Sequence, residues 1–150
     1  GMTCLYMVLE FFSKEKGTTK PKNLEVMIVE ARHNPKAYLE NVGWIHDFFV
    51  NLAIEHGLHS FRKEKLEDLN LVKSYLDMGF PVIISVERRC LSVISYHMVV
   101  LTGYEASDGG KTIFTYNEPA SLEPEKAEHR KCTEEEVLHF WRKKAIFFHV

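Results

Sequence analysis

The segment YHMVVLTGY, Tyr96 to Tyr104, decides how the chain is read, because around it the hydrophobic period changes from helix to strand. After it, Ser107 to Lys111 (SDGGK) is a turn of the kind that closes a hairpin, and Thr112 to Tyr116 (TIFTY) returns antiparallel. Before it, Pro81 to Arg88 (PVIISVER) is rich in β-branched residues and bounded by a proline and a charged run, so it reads as the preceding strand. A polar loop from Glu118 to Cys132 follows the hairpin. Thr133-Glu134-Glu135-Glu136 has the capping-box pattern and starts a helix through Trp141. Lys144 to Val150 (KAIFFHV) is the last strand.

The first half has the other period. Met2 to Lys14 places Leu5, Val8, Leu9 and Phe12 at helical spacing, with extra bulk at Met7 and Phe11, so a helix buried on most sides is predicted, ended by Gly17. Asn23 to Arg32 is a second short helix, broken at Asn34-Pro35. Gly43-Trp44 opens a third, Ile45 to Glu55, and Lys65 to Met78 is a fourth, closed by Gly79. Helices first and an antiparallel sheet afterwards is an α+β arrangement. With 150 residues, no internal repeat and no long linker, residues 1–150 are expected to form one domain.

Composition excludes several functions. A net charge of −2 gives no basic face for nucleic acid or anionic lipid, and no apolar run approaches the ~18 residues of a membrane span. Leu5 to Phe12 lacks the basic lead and small-residue cleavage site of a signal peptide. Cys4, Cys90 and Cys132 are odd in number and widely spaced, which argues against a disulfide framework and for a reducing, cytoplasmic setting. No CxxC pair and no phosphate-binding glycine pattern occurs, so neither metal nor cofactor is expected.

Three places carry possible chemistry. Cys4 lies in the first turn of the first helix, where unpaired N–H groups and the helix dipole favour a thiolate; a buried free cysteine is also a common core filler. His97 lies in the YHMVV strand, with Tyr96 and Met98 pointing to the opposite face. A lone histidine there is either a hydrogen-bonded core residue or a general base with a partner across the hairpin. The returning strand ends in Asn117-Glu118-Pro119, and because successive strand residues face opposite ways only one of Asn117 and Glu118 can orient His97. Gly43-Trp44 reads equally as a substrate platform or as core. Cys90 follows a charged run in a loop, Cys132 precedes a helix cap, and the remaining histidines are scattered, so none of these forms a site.

In its order of cysteine, strand histidine and acid before proline, the chain resembles papain-like cysteine peptidases of the bacteriocin-leader-processing, double-glycine peptidase-like type. The matching segments are GMTCLYMVL, Gly43-Trp44, LDMGFPVIISV (Leu76 to Val86), YHMVVLTGY, YNEPASLE (Tyr116 to Glu123) and the final FW to IFF stretch (Phe140 to Phe148). The resemblance implies a papain-like fold, with an N-terminal helical half packed on a C-terminal antiparallel sheet, a cleft between them, and a peptide or protein substrate. The family nucleophile is the cysteine of a Cys-Gly-x-x-(small)-x-x-Met-(Val/Leu)-Leu pattern. Gly1 matches its glycine and Cys4 its small residue, so the family cysteine would stand immediately before Gly1, with the oxyanion-hole glutamine farther upstream. Cys4 as a displaced nucleophile would sit about 5–6 Å along the helix axis from that place. The family histidine carries over to His97. The aspartate of its Asp-Pro-Ala pattern becomes Glu118, in Glu118-Pro119-Ala120, with Asn117, a residue type papain uses, as the alternative. The implied chemistry is thiolate attack on a peptide carbonyl, with His97 carrying the proton and Glu118 or Asn117 holding the imidazole. A catalytically inactive domain that binds peptide or leader sequences is the alternative, and hydrolysis or transfer on a non-peptide amide is a third possibility on the same fold and triad.

Overall fold

A computed structural model describes residues 1–90, 93–119 and 127–150. Among them run, in order, α1 (Met2–Lys16), α2 (Leu24–Arg32), β1 (Tyr38–Leu39), β2 (Gly43–Trp44), α3 (His46–Glu55), β3 (His59–Lys63), α4 (Asn70–Asp77), β4 (Val82–Cys90), β5 (Val93–Ala106), β6 (Thr112–Asn117), β7 (Arg130–Thr133), α5 (Glu134–Phe140) and β8 (Trp141–His149). They group into two units, Gly1–Arg62 with Phe148–Val150, and Lys63–Phe147.

In the first unit α1 buries Leu5, Val8, Leu9 and Phe12, the positions that the helical spacing singles out. It stops at Gly17, whose φ of 69° is the left-handed conformation that glycine adopts without a Cβ clash. Asn23 caps α2 by accepting the N–H of Glu25 at 2.9 Å. β1 and β2 form a small antiparallel ribbon in which Tyr38 faces Trp44. β3 neighbours β8, whose last residues belong to this unit, and His59 stacks on His149.

In the second unit the strand order is β8-β4-β5-β6-β7. β4 and β5 pair antiparallel, with Ile84 opposite Val99 and Val86 opposite His97. β5 and β6 pair with Val100 opposite Asn117 and Leu101 opposite Tyr116, and the register then shifts to Gly103 opposite Thr115. Cross-strand partners share a face. One face therefore carries Ile84, Val86, His97, Val99, Leu101 and Tyr116. Val137 and Phe140 of α5 line a cavity on it, together with several of these residues. α4 reaches the sheet through Tyr75 against Phe147 (5.0 Å between ring centres) and through a 2.8 Å bond from the Tyr104 hydroxyl to Asp77.

Several boundaries differ from the sequence reading, each for a local reason. Gly43-Trp44 forms β2 rather than opening a helix, and α3 begins at His46. α4 begins at Asn70 rather than Lys65: Lys65 is left-handed (φ 57°), and Asp68 accepts the N–H of Asn70 at 2.9 Å in a turn before the helix. β8 begins at Trp141, three residues early. Its start is disguised by a bulge opposite Ser85, with Lys143 at φ 59°. Cys90 closes β4 opposite Val93 instead of lying in a loop. β3 and β7 are polar edge strands without an apolar alternation to mark them. β7 occupies the end of the expected polar loop, whose residues 120–126, including Ala120 to Glu123 of YNEPASLE, lie outside the described residues.

The capping box at α5 is present. The Thr133 hydroxyl accepts the N–H of Glu136 at 3.1 Å, and the Glu136 carboxylate accepts the N–H of Thr133 at 3.3 Å. Thr133→Ala is expected to lower stability by about 1 kcal/mol, read as a shift in urea midpoint at constant slope. An unchanged midpoint would show that the cap adds nothing to the other contacts of α5, among them buried Val137 and the Lys73–Glu134 ion pair at 2.7 Å.

Candidate functional site

His97 and Glu118 meet, and strand register explains why. Val100 faces Asn117, the last residue of β6, so one step beyond the ladder the same alternation would set Glu118 opposite Val99. His97 lies two residues from Val99 on the same face, which makes it the diagonal neighbour of Glu118. Diagonal Cβ atoms stand roughly 7–8 Å apart, a gap that long side chains span. The extra methylene of glutamate therefore serves this reach. Nε2 of His97 contacts Oε1 of Glu118, and the two side chains are only 14% and 10% exposed. An ionised carboxylate can only accept, so Nε2–H is the donor. Nδ1 is left as the ring nitrogen able to take or return a proton.

Asn117 falls on the opposite face, with Val100. Its Oδ1 accepts the backbone N–H of His129 at 3.1 Å. The structure thus brings Glu118, and not Asn117, to His97. Val86 lies between His97 on β5 and Trp141 on β8 in one cross-strand row. Trp141 is locked by its indole N–H on the Lys144 carbonyl at 3.0 Å.

Beside the pair lies a cavity of about 300 Å³, with Ile84, Val86, Val99 and Leu101 from the sheet, Phe140 from α5, and Glu118 among its walls. Burial dominates its chemistry. It pushes the Cys132 thiol up to about 11, with the Glu136 carboxylate adding to the effect. It also raises Tyr116, against the opposing pull of Arg130. Sequence reading passed over Tyr116, Cys132 and Phe140; the alternation of β6 was the signal that could have placed Tyr116 on this face, whereas β7 carries no such mark for Cys132.

The other candidates lie in the first unit. Cys4 is the third residue of α1 and is fully buried. Gly1 caps that helix against Trp44: a Cβ on Gly1 would come within 2.8 Å of the Trp44 Cγ and 3.0 Å of the Phe49 Cζ. Trp44 is half-buried, edge-on to Tyr38 (5.0 Å) and tilted against Phe49 (6.0 Å). Gly43, at φ 99°, holds a conformation that other residues rarely adopt. Among the described residues no group of three or more His, Cys, Asp or Glu side chains comes together as a metal site. Nor, among the described residues, is any helix long and apolar enough to cross a membrane.

A family model, described as the Peptidase_C39 like family, matches residues 1–145. The chain belongs to that family. No curated protein matches it. Solved structures similar to it include two peptidase domains. One is the peptidase domain of Streptococcus ComA, a bi-functional ABC transporter involved in a quorum sensing pathway. It has a TM-score of 0.59 and 17% identity, over 97% of this chain and 89% of that one. The other is the peptidase domain of Streptococcus mutans ComA, with a TM-score of 0.51 and 18% identity over 72% and 76%. At these identities the likeness establishes the fold, which is the papain-like α+β arrangement of the Peptidase_C39 like family.

Two outcomes test the local chemistry. Gly1→Ala is expected to destabilise the protein by about 1–3 kcal/mol, the usual cost of forcing atoms into packed space, because Trp44 and Phe49 must move; thermal unfolding measures it. The raised thiol of Cys132 keeps its proton in the folded state at pH values where the unfolded chain releases it. Stability should therefore fall as pH rises from about 9 to about 11. Cys132→Ala should remove that part of the slope, which denaturant titrations across this range would show.

Proposed function

We propose that the chain is a cysteine peptidase domain that hydrolyses peptide bonds in a peptide or protein substrate, with His97 as general base and acid and Glu118 as the residue that orients it. The contact between Nε2 of His97 and Glu118 carries this reading. It fixes the tautomer and ring orientation and leaves Nδ1 for the proton, the part that the third member plays in a Cys-His-Asn or Ser-His-Asp constellation. The thiol gives its proton to Nδ1, and the thiolate sulfur attacks the carbonyl carbon. The tetrahedral intermediate expels the amine, which takes the proton back from Nδ1. Water, losing a proton to Nδ1, then cleaves the thioester and releases the acid and the thiol.

Two positions could carry the thiol. The family pattern sets it directly ahead of Gly1, and Cys4 is the other. Complete burial of Cys4 favours the first. Gly1 is the N-cap of α1, so a cysteine ahead of it would adjoin the N-terminal end of that helix, whose N–H groups favour a thiolate. The same burial supports a second reading, a domain that binds peptide without cutting it.

His97→Ala is expected to lower kcat by about 10²–10⁴-fold, the span of general acid–base catalysis, with circular dichroism unchanged. Glu118→Gln should lower it less, because the amide oxygen still accepts from Nε2–H. The assay uses chain carrying either cysteine or alanine ahead of Gly1, each with and without Cys4→Ala. Cleavage that needs the leading cysteine and survives Cys4→Ala supports the assignment. Cleavage lost only in folded Cys4→Ala moves the nucleophile to Cys4. Peptide binding with no cleavage in any form establishes the second reading.

A further inference from the structure

Asn117 is absorbed neither by the pair nor by the ladder. Pairing of β6 with β7 runs regularly from Ile113 opposite Thr133 to Tyr116 opposite Arg130. One step on, Asn117 would face His129. His129, however, has φ 55°, a left-handed conformation uncommon for a residue with a side chain. The ladder stops there, and two bonds of another kind replace it. The N–H of His129 donates to Oδ1 of Asn117 at 3.1 Å, and the N–H of Glu118 donates to the Ala127 carbonyl at 2.6 Å. One bond uses the side chain before the Asn117–Glu118 peptide, the other the N–H of that peptide itself. Together they fasten the chain returning to β7 onto the backbone from which the Glu118 side chain sets out.

We propose that Asn117 is the positioning residue that keeps the Glu118 carboxylate on Nε2 of His97. Glu118 reaches His97 diagonally across β5, so the direction of its carboxylate depends on the direction of its backbone more than a short, directly opposed contact would. The segment 127–129 supplies that constraint. Its left-handed residue is held by the side-chain oxygen of Asn117. Removing this oxygen frees the His129 N–H, releases the segment from Glu118, and lets the carboxylate swing from the imidazole. What this means for turnover rests on the peptidase reading. The geometry of the pair is independent of it.

The direct readout is the His97 Nε2–H resonance in ¹⁵N-edited spectra of the folded chain. In Asn117→Ala its water-exchange rate should rise about tenfold or more, and kcat should fall by about tenfold with KM nearly unchanged, well inside the ~10²-fold that a misplacement of about 1 Å can cost. Asn117→Asp, which keeps an acceptor for His129, should restore both. If Asn117→Ala does not fold, Asn117→Leu, of similar size and without an acceptor, is read in the same way. A lowered Tm with wild-type exchange at His97 in the folded variant would overturn the proposal, since Asn117 would then only stabilise the loop. If the exchange effect appears but the chain carrying both Cys4 and a cysteine ahead of Gly1 cleaves no peptide, positioning stands and the peptidase reading fails.

Discussion

Antiparallel register between β5 and β6 is the constraint on which the candidate site depends. A strand alternates its side chains, so one residue of slip would exchange Glu118 for Asn117 on the face of His97. Two features resist that slip. On the shared face Val99, Leu101, Ile84 and Phe114 are buried, and a slip would turn the exposed, polar Thr102 onto that face. Beyond the strand end, the Glu118 N–H is already held by Ala127. The register also passes through β4 to β8, because Val86 is paired with both His97 and Trp141. The histidine is set by three strands, which suits a group that must present one nitrogen in one direction.

Much of this was legible in the sequence. Short continuous apolar runs such as VIIS, MVVL and AIFF, of strand length, are buried strands in the structure. The capping box at Thr133 and the glycine stop at Gly17 are local chemistry and appear where the residues put them. Elements whose existence depends on a partner were not legible. β3, β7, and the start of β8 gain their hydrogen bonds from neighbours distant in sequence, and their own residues (HSFRK, RKCT and WRK) are as suitable for a loop. At the site, parity shows that Asn117 and Glu118 cannot both serve, but not which of them does. That choice is made by the register, and the register by a bulge between Leu101 and Gly103, of which the glycine within the strand was the one local sign.

The first unit shows a similar division between pattern and packing. The helical spacing of α1 is visible, whereas the need for glycine at its cap arises from an indole more than forty positions away. Gly1 has no room for a Cβ because Trp44 lies against it, and Trp44 is held there by Tyr38 and Phe49. Trp44 is thus neither plain core nor a bare platform: it is a half-buried wall that sets the position of the α1 N-terminus. Cys4, one turn inside, continues the buried row of Leu5, Val8 and Leu9, and its thiol is shut from solvent by the packing that makes the helix stable.

The cavity beside Glu118 bears on how strongly the pair acts. Cys132 and Tyr116 hold their protons more tightly there, and in both cases the main cause is loss of water. The same loss strengthens any charge interaction that remains, because a field is screened less where fewer water dipoles can turn. It also makes an uncompensated charge costly. The Glu118 carboxylate sits at the wall of this region and bonds the imidazole. Its charge is thus offset by an N–H that the register delivers, and any positive charge that His97 takes up is met by an anion already in place. Apolar walls, rigid register and a long acidic side chain are then parts of one arrangement: the walls give the carboxylate its strength, and the register gives it its target.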